Sequence, residues 1–250
     1  MNELKDRIAI VTGAAGGIGK AIAMKLSKHG AKVAVVDINV RAAETLVAEM
    51  QGTGLDAIAI GCDVREYEQV MKAVESCVHD LGEPHILVNN AGISPITTVE
   101  NISLEEWNKV LSINLTGPFL FTRAVLPYLK KAGARGRIIN IGSLAGQCGG
   151  IAVGLHYTAS KGGIMAMTKQ LAKVLAPYSV TVNNISPGTA DTPLINDFSE
   201  ETKKSLIDKI PLGRLCAPED VASAVYFLTS DDACFITGAT INVNGGMFIA

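Results

Sequence analysis

The sequence predicts an α/β fold in which helices cover both faces of a parallel β-sheet. Short apolar runs alternate with longer segments of helical periodicity, which is the pattern of βαβ units. Hydrophobicity within the runs is continuous, as expected for strands that are buried on both faces. The 250 residues are 48% hydrophobic and 18% charged, and no Pro- or Ser-rich linker divides them, so we predict one domain over residues 1–250. The predicted strands are residues 7–11, 32–38, 57–61, 85–89, 137–142, 180–185 and 239–243.

The first predicted helix follows the first strand. Residues 17–30 place Ile18, Ile22 and Leu26 on one helical face, and Gly30 stands where a helix C-cap is expected. Its apolar face would pack against the sheet, as the βαβ pattern requires.

Two later segments, 103–131 and 155–177, are predicted to be long helices with more than one apolar face. The first carries large apolar side chains that cannot all face one sheet: Trp107, Val110, Leu111, Phe119, Phe121 and Leu126. A second apolar face indicates either contact with another subunit or a thick core around a bent helix. Residues 189–217 interrupt the strand–helix alternation, and we expect a mobile insertion there.

Composition excludes several classes of function. The formal net charge is -2 and no Lys/Arg-rich stripe occurs, so a nucleic-acid partner has no support. The odd set of five cysteines contains no CxxC motif and the four histidines are scattered, so we predict neither a disulfide framework nor a metal site. No run of 18 apolar residues and no signal peptide occur, so we expect no membrane span and a cytoplasmic protein.

A glycine cluster lies between the first strand and the first helix. In TGAAGGIG, residues 12–19, Gly13, Gly17 and Gly19 allow a tight turn and let a pyrophosphate approach the amino end of the helix. A glycine cluster alone also fits an ordinary βα turn, and the spacing here differs from the usual GxGxxG pattern. Asp37, at the end of the second predicted strand, favours the dinucleotide interpretation.

Asp37 ends the second predicted strand, 18 residues after Gly19. A carboxylate at this place can accept hydrogen bonds from the hydroxyls of an adenosine ribose. The alternative is that Asp37 caps the next helix, a position that aspartate also suits. Upstream glycines make the ribose interpretation the better one.

Tyr157 and Lys161 stand four residues apart in HYTASKGG, residues 156–163. On a helix they share a face. A core tyrosine beside a solvated lysine is one interpretation. The other is that the ammonium lowers the pKa of the phenol, which is otherwise near ~10, and so makes it usable as a base. Small neighbouring residues would leave room for cofactor and substrate, whereas His156 is expected to be incidental.

Seven motifs occur together in one order, and with them the chain resembles the short-chain dehydrogenase/reductase family in its single-domain form, especially the 3-oxoacyl reductases. The motifs are TGAAGGIG, Asp63 in CDV, NNAG at 89–92, Asn114 in SINLTG, Ser143 in NIGS, YTASK at 157–161 and PGTADT at 187–192. The resemblance implies a Rossmann-like, doubly wound, seven-stranded parallel sheet with helices on both faces. It also implies NAD(P)-dependent interconversion of alcohols and carbonyl compounds, commonly by a homotetramer.

The resemblance assigns roles to single residues. Tyr157 corresponds to the catalytic acid/base, Lys161 to the residue that holds the nicotinamide ribose, Ser143 to the group that binds the substrate oxygen, and Asn114 to the anchor of a relay water. Ser143 and Tyr157 are the predicted substrate contacts; for Ser143 an N-cap role is the alternative, and for Asn114 a helix kink. The predicted cofactor contacts are Gly13, Gly17, Ile18, Gly19, Asp37, Ile38, Asp63, Val64, Asn90, Gly92, Tyr157, Lys161, Pro187, Gly188, Thr189 and Thr192.

The predicted function is an NAD-dependent oxidoreductase that interconverts a secondary alcohol and its ketone. Asp37 favours NAD over NADP because a 2′-phosphate would meet its carboxylate. The alternatives are a 3-oxoacyl thioester reductase that uses NADPH, a non-catalytic NAD-binding regulator, and a methyltransferase, which would not need Tyr157 or Lys161. Thirteen residues separate Ser143 from Tyr157, one more than in many family members, so the identity of the small-molecule substrate stays open between polyols, hydroxyacyl thioesters and cyclic alcohols.

Overall fold

A computed structural model describes residues 3–150, 153–191 and 200–249. Within these residues seven parallel strands form one sheet in the order β3-β2-β1-β4-β5-β6-β7. This confirms the predicted doubly wound architecture. The strands are β1 Ile8–Thr12, β2 Lys32–Asp37, β3 Ala57–Gly61, β4 Ile86–Asn89, β5 Arg137–Ile141, β6 Thr181–Pro187 and β7 Thr240–Val243.

Helices connect the strands and cover both faces of the sheet. They are α1 Gly17–Lys28, α2 Val40–Gly52, α3 Tyr67–Asp80, α4 Leu104–Leu111, α5 Gly117–Ala132, α6 Ala145–Cys148, α7 Leu155–Leu175, α8 Glu200–Ile207 and α9 Pro218–Thr229. α1 ends at Lys28, and Gly30 follows with a φ of +100°, as the sequence predicts for a helix terminus.

Two hydrophobic clusters lie on opposite faces of the sheet. Successive residues of β1 alternate between them: Ala9 belongs to the first and Ile10 to the second. All five residues of β1 are therefore buried. The continuous apolar runs of the sequence are explained by this two-sided burial.

The chain from Leu104 to Arg135 forms one long helical segment. By length and composition it could cross a membrane, but half of its most apolar window is buried inside the structure. The core helix of a soluble protein meets the same test, so the segment is weak evidence for a membrane span. Val110 and Phe121 point into the core, whereas Phe119 is exposed, which confirms a second apolar face.

A buried arginine begins β5. Lys130 and Lys131 occupy the last turn of α5, as cations at a helix terminus should. Arg137, the first residue of the predicted strand at 137–142, lies in β5 and is fully buried. Its guanidinium and that of Arg7, also buried, share the carboxylate of Asp231.

The predicted insertion at 189–217 is described in part. Ala190 forms a parallel bridge with Cys216, and α8 lies between them along the chain. Residues 192–199, which include Thr192, lie outside the described residues. The mobility of the insertion stays a prediction.

Candidate active site

The strand order reverses between β1 and β4, so a crevice opens at the carboxyl ends of these strands. Gly13 lies there with a φ of +61°, and a Cβ on it would be 2.7 Å from Cα of Ala91. A Cβ on Gly19 would be 2.1 Å from the carbonyl oxygen of Gly13. Both positions therefore require glycine, as the sequence predicts.

The amino end of α1 is open to a ligand. Its N-cap is Gly16, which makes no side-chain cap hydrogen bond, and Gly17 follows with a φ of +52°. The first amides of the helix are therefore not bound by a cap side chain, and the helix dipole makes this end positive. Ile18, in the first turn of α1, is half-buried and packs against the hydrophobic core. The loop fits the pyrophosphate of a dinucleotide.

Asn90 fixes this loop from the neighbouring strand. Its Nδ2 donates to the carbonyl oxygens of Thr12 and Gly13, both at 2.9 Å. Its backbone N–H donates to Oγ1 of Thr12 at 3.0 Å. The predicted contact between Asn90 and a cofactor stays a prediction, but its bracing of the glycine loop is direct.

Asp37 does not cap α2, because the N-cap is Asn39, whose Oδ1 accepts from the N–H of Ala42 at 3.2 Å. The Asp37 carboxylate instead accepts from the N–H of Ala15 at 3.0 Å and from that of Asn39 at 2.9 Å. The alternative interpretation of Asp37 is therefore wrong. The carboxylate is held against the glycine loop, beside the exposed side chain of Ile38, and each oxygen keeps acceptor capacity for a ribose hydroxyl.

The predicted adenine-side pair has contacts of its own. Arg65 donates from Nε to both carboxylate oxygens of Asp63 at 3.0 Å, and these bonds hold the pKa of Asp63 below its usual value. Val64 is buried, and its Cγ2 would be 2.8 Å from a Cβ on Gly117. Their contact with adenine stays a prediction.

Ser143, Tyr157 and Lys161 meet where β5 ends. The side chain of Ser143 interacts with the phenol of Tyr157 and lowers the pKa of that phenol. Lys161 is buried, its Nζ donates to the carbonyl oxygen of Ile141 at 2.7 Å, and the same Nζ lies 5.7 Å from the centre of the Tyr157 ring. Ser143 Oγ also accepts from the N–H of Ala145 at 3.1 Å, so the serine supports the turn into α6 in addition to facing the tyrosine.

The electrostatics of Tyr157 differ from the prediction. Burial raises the pKa of Tyr157, and the hydrogen bond from Ser143 lowers it only in part. Lys161 was expected to lower this pKa, but its ammonium is directed at a backbone carbonyl rather than at the phenol. Burial also lowers the pKa of Lys161 to about 8. In the protein alone, Tyr157 is therefore a protonated acid near neutral pH.

Asn114 lies in a π-helical turn, Ser112–Thr116, between α4 and α5. Its Oδ1 accepts from the N–H of Ile93, and its Nδ2 donates to the carbonyl oxygen of Ile93, each at 2.9 Å. Nδ2 also donates to Ser160 Oγ at 3.1 Å. This confirms the predicted distortion of the helix, and such turns are frequent at functional sites. The water-anchoring role stays a prediction.

Two glycines near the four predicted catalytic residues leave room for neighbouring side chains. A Cβ on Gly92 would be 3.2 Å from Asn114 Oδ1 and 3.6 Å from Lys161 Nζ, so the glycine lets two predicted catalytic groups approach. A Cβ on Gly163 would be 2.9 Å from Cδ2 of Leu115. Gly163, two residues after Lys161, therefore accommodates the π-helical turn at Leu115; that the other small neighbours of Tyr157 leave room for cofactor and substrate stays a prediction.

The end of β6 and the segment after it contact neighbouring loops at the edge of the crevice. The N–H of Leu144 donates to the carbonyl oxygen of Pro187 at 3.0 Å, and a Cβ on Gly188 would be 3.0 Å from Cα of Asn244. The backbone carbonyl oxygen of Thr189 accepts from the N–H of Cys216 at 2.9 Å. A cavity of about 480 Å³ opens here; its lining includes Thr189 and Asn244 but none of the four predicted catalytic residues.

His156 is more than an incidental neighbour of Tyr157. The imidazole is fully buried; its Nδ1 accepts from the N–H of Tyr157 at 2.9 Å and its Nε2 lies 3.2 Å from Glu106 Oε1. It does not approach the phenol as a base. Its partner is fifty residues away along the chain, so no local sequence signal marks the contact.

Comparison with known proteins matches residues 13–248 to a family model described as enoyl-(acyl carrier protein) reductase. The chain is 38% identical to a 3-oxoacyl-[acyl-carrier-protein] reductase of Pseudomonas aeruginosa, over 99% of each chain. It is 35% identical to a (3R)-3-hydroxyacyl-CoA dehydrogenase of Canis lupus familiaris, over 98% of each chain. A crystal structure of a 3-oxoacyl-[acyl-carrier protein] reductase with bound NAD from Brucella melitensis matches with a TM-score of 0.93 and 36% identity, covering 100% of this chain and 94% of that one.

Burial of Lys161 predicts a pH-dependent stability difference. Its pKa is about 8 in the folded protein and ~10.4 in an unfolded chain, so between these values the unfolded state binds more protons. The free energy of unfolding must therefore rise with pH. Relative to Lys161→Met, the wild type should gain on the order of 3 kcal/mol across this interval.

Urea unfolding at a series of pH values without added nucleotide measures this gain. Lys173→Met removes an exposed lysine from the same helix and is the matched control. A wild-type advantage that stays constant with pH, or falls, would contradict the burial of a titrating lysine.

Proposed function

Because this chain belongs to the short-chain dehydrogenase/reductase family, we propose that it reduces a 3-oxoacyl thioester to a 3-hydroxyacyl thioester with NADH. The family and its relatives make the protein an oxidoreductase that acts on CH–OH groups. The single observation that carries the proposal is the convergence of Ser143, Tyr157 and Lys161 where β5 ends, at the strand edge that also holds the glycine loop.

The residues of the chain supply the proton side of the reaction. NADH, held by the glycine loop and Asp37, would supply the hydride for the carbonyl carbon. Ser143 can donate a hydrogen bond to the carbonyl oxygen and so favour the negative charge that develops there. Tyr157 Oη gives its proton to that oxygen, which converts C=O to CH–OH. The raised pKa of Tyr157 keeps the phenol protonated near neutral pH, as a proton donor must be.

Two kinds of relative support a thioester substrate. One is named for 3-oxoacyl groups on an acyl carrier protein and another for 3-hydroxyacyl-CoA. Both substrates contain a secondary alcohol or its ketone beside a thioester, so the proposal narrows the broader alcohol–ketone prediction to the alternative that the relatives favour. The family model is described as an enoyl reductase, and an enoyl thioester is therefore a necessary arm of the test.

Asp37 supports NAD over NADP. Its carboxylate is fixed by the N–H groups of Ala15 and Asn39, so it faces the glycine loop and cannot turn away without losing two hydrogen bonds. Free ribose hydroxyls can donate to it, whereas a 2′-phosphate would be repelled. Arg41, the nearest following cation in the sequence, is exposed on α2. A non-catalytic NAD-binding regulator has less support, because it would not need Ser143, Tyr157 and Lys161, and the chain keeps all three and brings them together at the end of β5.

A homotetramer is the proposed assembly. Several apolar side chains on the long helices are exposed: Leu104 on α4, Phe119 on α5, and Leu155 and Val174 on α7. Helices with an outward apolar face pack well against a second copy in symmetric oligomers.

Tyr157→Phe should reduce kcat by at least ~10²-fold while the Kd for NADH changes little, because only the proton donor is lost. Steady-state kinetics with a 3-oxoacyl-CoA measures this, and Tyr178→Phe makes the same chemical change at an exposed tyrosine beyond α7. The assay should include an enoyl-CoA, a simple cyclic ketone and a polyol. Undiminished turnover in Tyr157→Phe would remove the tyrosine from its role, and preference for a substrate without a 3-oxo thioester would overturn the substrate class.

The cofactor preference should be ~10–100-fold in favour of NADH, the scale of one charge-assisted hydrogen bond. Asp37→Ala should narrow the gap, chiefly by weakening NADH. Asp56→Ala, at an exposed aspartate that pairs with Lys32, is the matched control and should leave the ratio unchanged. A higher kcat/KM with NADPH in the wild type would contradict the assignment of Asp37.

Light scattering at micromolar concentration should give about four times the mass of one chain. Phe119→Glu places a charge on the exposed apolar face of α5 and should lower this mass. A monomeric wild type would refute the proposed assembly without affecting the proposed reaction.

A further inference from the structure

The helix that carries Tyr157, α7, begins without a side-chain cap. The N-cap of α7 is Gly154, so Tyr157 occupies the third helical position. The N–H at this position is one that the side chain of a Ser, Thr or Asp N-cap would accept. Gly154 has no side chain to do so, and the first-turn amide of the predicted catalytic residue therefore needs another acceptor.

His156 is that acceptor. Its Nδ1 lies 2.9 Å from the backbone nitrogen of Tyr157, so Nδ1 is unprotonated and the ring proton is on Nε2. Gly154 is small for the same reason: a Cβ there would be 2.2 Å from Cε1 of the imidazole. Because Gly154 has no side chain, the imidazole of His156 occupies the space that an N-cap side chain would take.

Glu106 on α4 fixes the other side of the ring. Its Oε1 lies 3.2 Å from His156 Nε2 and also accepts from Thr97 Oγ1 at 2.7 Å. The Thr97 hydroxyl, followed by the bond to His156, holds the pKa of this carboxyl below its usual value, so it is an anion and a suitable acceptor for the Nε2 proton. The N–H of Gly154 donates to the carbonyl oxygen of Pro95, two residues before Thr97, at 3.3 Å.

We propose that His156, oriented by Glu106, is a positioning residue for Tyr157: it sets the first turn of α7 by accepting the tyrosine amide and thereby places the phenol beside Ser143. This inference rests on the proposed role of Tyr157 in proton transfer. The imidazole acts through the backbone and does not exchange protons with the substrate. A displacement of about 1 Å in a catalytic group can reduce rates by about 10²-fold.

Two substitutions separate the contacts of the ring. His156→Asn can keep an acceptor near the place of Nδ1 but is too short to reach Glu106. His156→Gln can reach Glu106 but has a methylene where Nδ1 lies. We expect kcat of His156→Asn to stay within about fivefold of the wild type and that of His156→Gln to fall about 10- to 100-fold, with an unchanged Kd for NADH in both.

A double-substitution cycle distinguishes positioning from a general loss of structure. In a Tyr157→Phe background, His156→Gln should cost little further activity, because the group that it positions is already gone. His79→Ala removes an exposed histidine and is the control. A full loss of activity in both backgrounds, the opposite order of Asn and Gln, or wild-type activity in both variants would overturn the proposal.

The wild-type protein provides a test that does not depend on folding of the variants. Nitrogen-15 chemical shifts of the imidazole should show a protonated Nε2 and an unprotonated Nδ1. A proton on Nδ1 would overturn the proposal whatever the variants do. If Tyr157→Phe alone keeps full activity, the proposed function fails instead, and the two failures are thereby distinguished.

Discussion

The close approach of two backbone loops at the centre of the sheet is the constraint on which the rest of the structure depends. The chain leaves β1 and β4 in opposite directions, so a crevice opens between the two strands at their carboxyl ends. Gly13 and Gly19 permit the approach and Asn90 fixes it. The loop after β4 continues past Gly92, where its backbone contacts Asn114 and the start of α7. The glycine loop and the four predicted catalytic residues are therefore parts of one scaffold.

Much of this scaffold could be predicted from the sequence because its causes are local. Strands buried on both faces must be apolar throughout, and the predicted β3, residues 57–61, agrees with the observed strand at both ends. Glycines that allow a backbone approach cannot be replaced, so Gly13 and Gly19 appear as a motif. Asp37 was placed by its distance from that motif and its strand, and its carboxylate faces the loop.

The features that sequence reasoning missed depend on contacts between distant segments. The partner of His156 lies on α4, and nothing in HYTASK indicates it. The partner of Lys161 is a backbone carbonyl at the end of β5, so the ammonium does not have the effect on Tyr157 that spacing alone suggests. Arg137 begins a predicted strand, but its full burial and its charge partner Asp231, far along the chain, have no local sequence signal.

The π-helical turn at Ser112–Thr116 also determines how this protein can tolerate changes in length. Such a turn contains one residue more than an α-helix needs, and each residue of an α-helix rotates the chain by about 100°. Deletion of one residue here would restore a regular helix and, because only the surplus residue is lost, would keep the rotational phase of α5 relative to α4. Phe121 would stay in the core while Asn114 would lose the turn that places it, so the shortest possible deletion would disrupt the candidate catalytic site and spare the hydrophobic core.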